Sequence, residues 1–431
     1  MADSLDTDSE SDATKPVPAK PPVAPLERST EAEPAVDGQA RRAAPWTIST
    51  YFAEGLPYSL VHQVGTQQYL TAMGVDLGAI GLSSLLHLPW NLKFLWSPLV
   101  DRVASPRRWL VSTQLTLALL VALLAIPAGR GEIGTVMSIL VLVAIAAATN
   151  DVAIDAFYLS ALGKRDQASL SGLRVAAYRG ALLFGNGALV ALAGWTSFQV
   201  AFLAAAGVLA LLALGHALWL PRPAATQHAE GRSAAGFLLD ALRSFFVQDR
   251  ALWSLAFILS FRAGDALMFA MNAPLLKSLG LDTDMRGLVS GGLGTVASIA
   301  GSILGGILIA KRGLARTLVP VAAVQSLAIL LYVLLAALKP SLPIITAIVV
   351  AEQLVAGVGT AAFMVFILRR CDGAHKASHF AMATALMSLA ATGAGSVSGF
   401  LADRVGFVAF FAIAFLASIP GVLVARRVPK D

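Results

Sequence analysis

From Trp46 to near its C-terminus the chain alternates between apolar stretches of about twenty residues and short polar breaks. A helix of that length covers the ~30 Å hydrocarbon core of a bilayer. We place such stretches at 46–72, 79–99, 108–128, 134–160, 169–193, 197–219, 251–277, 285–309, 317–338, 342–368, 379–401 and 406–426, twelve in all. The composition agrees, with 57% hydrophobic and only 13% charged residues and a mean hydropathy of +0.72. An average soluble domain carries about 25% charged residues, so this chain lacks the charge to coat a globule in water. Soluble enzymes and nucleic-acid binders are thereby excluded. The single cysteine, Cys371, rules out a disulfide framework and a cysteine-based metal cluster. No metal or cofactor is expected.

Charge divides the chain further. Residues 1–45 hold nine acids and five bases in an acidic, then Pro/Ala-rich segment without aromatic residues. Such a segment cannot bury enough apolar surface to offset its ordering entropy, and we expect a disordered cytoplasmic tail. A polar linker at 221–250, with a surface helix expected over 237–246, separates two bundles of six helices, 46–220 and 251–431. With the tail in the cytoplasm, the loops on its side carry eighteen Lys/Arg against five (Arg130, Lys277, Arg286, Lys339 and Arg404) on the other. The positive-inside rule therefore puts both termini in the cytoplasm.

The two halves repeat. Leu70–Leu82 aligns with Leu276–Leu288 at an offset of 206, so that Gly74, Asp76 and Gly81 fall on Gly280, Asp282 and Gly287. Duplicated six-helix units about a midplane site are an arrangement of secondary transporters. Between the second and third stretches, Ser97-Pro-Leu-Val-Asp-Arg-Val-Ala-Ser-Pro-Arg-Arg108 resembles the loop signature of major facilitators. Asp101 there is suited to capping a neighbouring helix, while Arg102, Arg107 and Arg108 are suited to pairing with acids or lipid phosphates in a gating or structural role.

Five acids lie inside apolar stretches: Glu54, Asp151, Asp155, Asp265 and Glu352. The deep bases are Lys93, Arg179 and Arg262, with Arg174 nearer a helix end. Each such charge costs roughly 2.5–3.5 kcal/mol or more at a helix centre unless it meets a partner or a wet cavity. Five acids cannot be neutralised one-to-one by three bases, so some must take up protons or a cationic part of a solute. Asp151 and Asp155 are four apart and share a helix face, where two carboxylates repel and favour a proton carrier; a fixed pair with Lys93 or Arg179 is the alternative. Glu352, without a base nearby in sequence, is a second titrating candidate. Glu54 precedes a Gly/Pro break at Gly55-Leu-Pro57, where a helix either unwinds toward a ligand or merely kinks. Arg179 is suited to holding an anionic group. Arg262 and Asp265 either neutralise each other or gate. Trp90, Phe157 and Tyr178 offer faces for stacking on a sugar ring or for plain packing, and His62, His87 and His379 either shuttle protons or pack.

Seven motifs in order carry a resemblance: Tyr51–Pro57, Leu92–Pro98 with Asp101 and Arg102, Asn150–Asp155, Tyr178-Arg179, Gly264-Asp265, Gly305–Leu308 and Gly357–Thr360. Together they resemble the AmpG-type muropeptide permeases and related acetyl-CoA transporters of the major facilitator superfamily. The resemblance implies an all-α membrane protein with twelve transmembrane helices in two six-helix bundles. It implies a proton-driven importer, not an enzyme, that carries 1,6-anhydro-muropeptides across the inner membrane by alternating access. Its partners would be a small-molecule solute, protons and membrane lipid, with no nucleic acid, and a monomer is expected. Lys93, Asp151, Asp155, Arg179, Asp265 and Glu352 would line or gate the pathway; Arg262, Tyr178, Trp90 and Asn150 are expected beside the solute from their place among these charges in the sequence. Glu54 stands where a small residue is expected in that branch, which opens the alternative of another anionic solute such as an acyl-CoA. A non-transporting membrane receptor is a different class of alternative. An intramembrane aspartyl protease is disfavoured, since Asp265 lacks the Gly-x-Gly-Asp context.

Overall fold

The computed structural model describes residues 38–97, 100, 104–222, 243–371 and 376–429, and these are mostly helical, with short turns between helices and no strand among them. The first half contains α1 (38–72), α2 (77–95), α3 (Pro106–Arg130), α4 (Ile133–Ala161), α5 (164–195) and α6 (Phe198–Trp219). The second contains α7 (251–278), α8 (283–312), α9 (Leu314–Leu338), α10 (Leu342–Arg369) and α11 (Lys376–Val424). Local chemistry sets several ends. Ser105 accepts a hydrogen bond from the Arg108 backbone N–H to start α3, which stops where Gly131 turns left-handed at φ +71°. Ser197 caps α6 through the Val200 N–H.

Among the described residues, nine helical stretches are long and apolar enough to cross a bilayer. Two expected spans, α1 and α2, are not among them, because His62, Gln63, Gln67, Asn91 and Lys93 lower their hydropathy and because α2 breaks into short turns. Two others are merged in α11. Its apolar part, Met382–Val424, runs for 43 residues. That is about 65 Å as a straight helix, twice the hydrocarbon thickness. Gly406, at φ +73° and ψ +163°, breaks it. The start of the chain also departs from expectation. Residues 38–45, placed in the tail by composition, belong to α1, because Ala40 and Ala43 bury against Tyr51, Leu110 and Phe157. Most of the expected linker helix lies outside the described residues, as do Asp101 and Arg102; residues 243–247 are helical.

The repeat read from the sequence is visible in the backbone. Gly74 and Gly280 both take positive φ, +72° and +89°. Asp76 and Asp282 then occupy the capping positions of α2 and α8, and Asp76 accepts the Ala79 N–H at 2.8 Å.

The halves meet at one rim and part at the other. One apolar cluster joins the ends of α1, α3, α5, α7 and α9 to the starts of the helices that follow them, and it spans both halves. At the opposite rim the core splits into one cluster from the first half and one from the second. Glycines make the closed rim possible. A Cβ on Gly81 would stand 2.7 Å from the Gly399 nitrogen, and one on Gly187 would stand 3.1 Å from the Gly292 Cα. Within a bilayer such close backbone approach is a main source of helix–helix attraction, since lipid tails remove the hydrophobic drive. Two of the touching segments, Phe184–Leu189 in α5 and Gly287–Gly294 in α8, are π-helical. The seam is closed further by Arg286, whose Nε donates to Gln68 Oε1 at 3.0 Å, and by Lys277, which donates to the Thr71 carbonyl.

Candidate functional site

The first-half charges converge from four helices. Asp151 and Asp155 face one way from α4, as their spacing requires, but they meet different bases. Lys93 of α2 pairs with Asp151. Arg174 of α5 places Nη2 2.8 Å from Asp155 Oδ1, and the Tyr51 hydroxyl donates to the same oxygen at 2.9 Å. The Arg174 guanidinium lies 4.5 Å from the centre of the Tyr51 ring and 5.5 Å from that of Tyr158, a cation–π arrangement that fixes its direction. Glu54 of α1 is an electrostatic neighbour of both aspartates and of Arg174, and its Oε2 is enclosed without a hydrogen-bond partner. This group holds three acids and two bases.

A second group sits in the other half. Asp265, 2% exposed, accepts from Gln325 Nε2 and is not within salt-bridge distance of Arg262 among the described residues. Arg262 donates to Thr360 Oγ1 at 3.2 Å instead. Glu352, also 2% exposed, keeps Oε2 enclosed and unpartnered. A buried polar atom left without a partner costs about 1–3 kcal/mol, and more when charged. Glu54 and Glu352 are thus the acids with an unmet demand, one in each half.

A cavity of about 360 Å³ is lined by both halves, and none of the acids of either group stands in its wall. Arg262 is the charged side chain in its wall, among Tyr58, His62, Gln63, Gln67, His87, Asn186 and Thr392. Arg179 adjoins it as an electrostatic neighbour of Arg262, Tyr58 and Tyr178, with no carboxylate within salt-bridge distance among the described residues. Two like charges held together across a cleft favour an anionic occupant. Trp90 and Tyr178 flank the wall through Tyr58, with ring centres 5.4 and 6.2 Å away.

Other candidates serve elsewhere. Asn150 is fully buried, with its amide nitrogen on the Ala53 carbonyl and its oxygen on Thr113 Oγ1, so it ties α4 to α1 and α3. Phe157 packs edge-on against Trp46. His379 bonds Ser244 and Gln248 beneath the second half. Arg107 caps α6 by donating to the Ala217 and Leu220 carbonyls, and Arg108 is exposed. Sequence reasoning missed Tyr51 and set Arg174 aside. The available signal was that Arg174 lies five residues before Arg179, and the turn between them carries the base from the cavity to Asp155. Among the described residues, no group of three or more His, Cys, Asp or Glu is placed to hold a metal ion.

The Major Facilitator Superfamily profile matches residues 46–391. The chain belongs to this superfamily. Among curated relatives, the anhydromuropeptide permease of Escherichia coli (strain K12) is 29% identical over 386 residues, covering 86% of this chain and 77% of that protein. A Rickettsia felis protein given the name AmpG 4 is 22% identical over 389 residues, covering 87% and 94%. Among solved structures, a bacterial homologue of the human lysosomal transporter Spinster, in an inward-facing and unoccupied conformation, superposes with a TM-score of 0.69 at 15% identity, covering 90% of this chain and 98% of that one. A D-xylose–proton symporter gives 0.68 at 13% identity, covering 90% and 98%. The protein is therefore a multi-pass membrane transporter with the major facilitator fold, and its relatives are permeases, not enzymes.

Proposed function

We propose that this transporter is a proton-coupled importer that carries anhydro-muropeptides across the inner membrane into the cytoplasm. The observation that carries the reading is the mismatch of charge around the cavity. Glu54 and Glu352 lack partners for a buried carboxylate oxygen, whereas Arg179 and Arg262 lack a carboxylate. Acids with an unpartnered carboxylate oxygen are suited to bind and release protons, and bases without a carboxylate beside them are suited to hold an anionic solute, so that each half-cycle satisfies one set. The likeness to the E. coli permease supports a cell-wall-derived solute.

With the eighteen bases facing the cytoplasm, both termini lie inside and the closed rim faces out. The split rim then opens to the cytoplasm, as expected for an inward-facing carrier. Asp151 and Asp155 join the coupling group through Glu54, Lys93 and Arg174 rather than as a free pair. The protein would work as a monomer, since one chain contains both walls of the cavity.

A second reading, a carrier of another anionic solute such as an acyl-CoA, is favoured by the same two arginines, which recognise charge and not a scaffold. Uptake of radiolabelled anhydro-muropeptide into proteoliposomes, with and without an inward proton gradient, tests the first reading. Gradient-dependent accumulation that excess acyl-CoA does not suppress supports it. Suppression by acyl-CoA at lower concentration than by muropeptide supports the second, and no transport of either would leave a receptor.

A further inference from the structure

The cavity wall contains a polar cluster that neither the proton nor the anion reading uses. His62, in the π-helical stretch Leu60–Gln68 of α1, and His87, in α2, lie face to face with ring centres 3.4 Å apart and planes 11° from parallel. Tyr58 meets His62 edge-on at 4.0 Å and Trp90 lies 4.8 Å from the same ring. His62 is 6% exposed and neither of its ring nitrogens has a partner. Buried imidazoles ordinarily find one. His87 Nδ1 lies 2.9 Å from the Ser84 carbonyl, which only accepts. In the neutral ring Nδ1 therefore carries the proton, and Nε2 is an acceptor. Gln63 and Gln67, one turn apart on α1, line the same wall and bring two side-chain amides.

We infer that His62, His87, Gln63 and Gln67 form a subsite for an uncharged pyranose ring bearing hydroxyl and acetamido groups, distinct from the arginine pair that holds the anionic part. The inference rests on the reading of this cavity as the solute site. His87 Nε2 accepts from a ring hydroxyl or an amide N–H. The two glutamine amides offer both donors and acceptors, as an acetamido group requires. Tyr58, backed by Trp90, supplies an apolar face for the C–H side of the ring. Arg262 stands in the same wall, so the ring seats beside the negative group and not on it. His62, whose ring nitrogens are enclosed, holds His87 in place through the stack.

Binding tests this without transport. Thermal unfolding of the purified protein in detergent is followed against N,N′-diacetylchitobiose, a neutral acetamido disaccharide, and against a sugar-free acidic tripeptide. The disaccharide should stabilise the wild type. His87→Phe, which keeps a ring but loses the acceptor, should need about tenfold more of it, the worth of one hydrogen bond. His87→Gln should recover most of that loss, and all variants should respond to the acidic tripeptide as the wild type does. Gln67→Leu gives the same reading should His87→Phe not fold. A wild type indifferent to the disaccharide, or His87→Phe and Gln67→Leu matching the wild type, overturns the subsite. Stabilisation by the sugar in a protein that fails to accumulate muropeptide would refute the importer reading and leave the subsite standing.

Discussion

Removing either end of the Lys93–Asp151 pair should have unequal consequences. The Lys93 side chain is 35% exposed, whereas that of Asp151 is only 10% exposed. Lys93→Met strips the base from a carboxylate that already has Glu54 and Asp155 as electrostatic neighbours. An uncompensated buried charge of this kind costs about 3–5 kcal/mol. Asp151→Asn leaves Lys93 free to turn toward water, and that loss should stay near 1 kcal/mol, in the range of partly exposed pairs. The double variant should be more stable than Lys93→Met alone by ~1–3 kcal/mol, because the orphaned carboxylate is gone. Thermal midpoints of the four proteins in one detergent would show the ranking, with Lys93→Met lowest by several degrees. If Asp151→Asn proved as damaging as Lys93→Met, or if the two losses simply added, the pair would not be the contact that neutralises Asp151.

Further outcomes follow from the rim and the cavity. Gly81→Leu places a side chain against the Gly399 nitrogen, so it should hold the closed rim apart; distances between spin labels on α2 and α11 should lengthen, and a wild-type distribution would contradict the seam. Arg179→Ala should raise the KM for an anionic solute about tenfold or more, through loss of a charge-assisted hydrogen bond, with little change in the maximal exchange rate at equal pH. Asn150→Ala should cost about 1–3 kcal/mol of stability by orphaning the Ala53 carbonyl, and the KM of the folded fraction should not move.

Much of this architecture is written in local pattern. Apolar length announces the membrane helices, and the offset of 206 residues announces the duplication because Gly74 and Gly280 must both turn through positive φ. The partners of the charges are a different matter. That Asp151 and Asp155 share a face follows from their spacing, but whether Asp155 meets Arg174 or Arg179 depends on the rotation of α5 about its axis. The partner of Asp265 is Gln325, sixty residues along the chain and uncharged, and no pairing rule based on opposite charge could select it. The π-helical stretches of α1, α5 and α8 leave no mark in composition either. They result from tertiary packing, in α5 and α8 where glycines let the two backbones touch. The start of α1 at Gly38 was hidden by acidic, proline-rich neighbours, although Gln39-Ala-Arg-Arg-Ala-Ala44 is itself a good helix former.

Glu54 and Glu352, each with one enclosed and unpartnered carboxylate oxygen, are the proposed proton carriers. Glu54→Gln and Glu352→Gln keep the shape of each side chain while removing its proton chemistry. Their uptake of labelled anhydro-muropeptide into proteoliposomes should be compared under an inward proton gradient and, separately, as counterflow exchange at equal pH. At least one of the two should lose gradient-driven accumulation and keep exchange near the wild-type rate. Accumulation at wild-type levels in both variants, and in the double variant, would contradict that role.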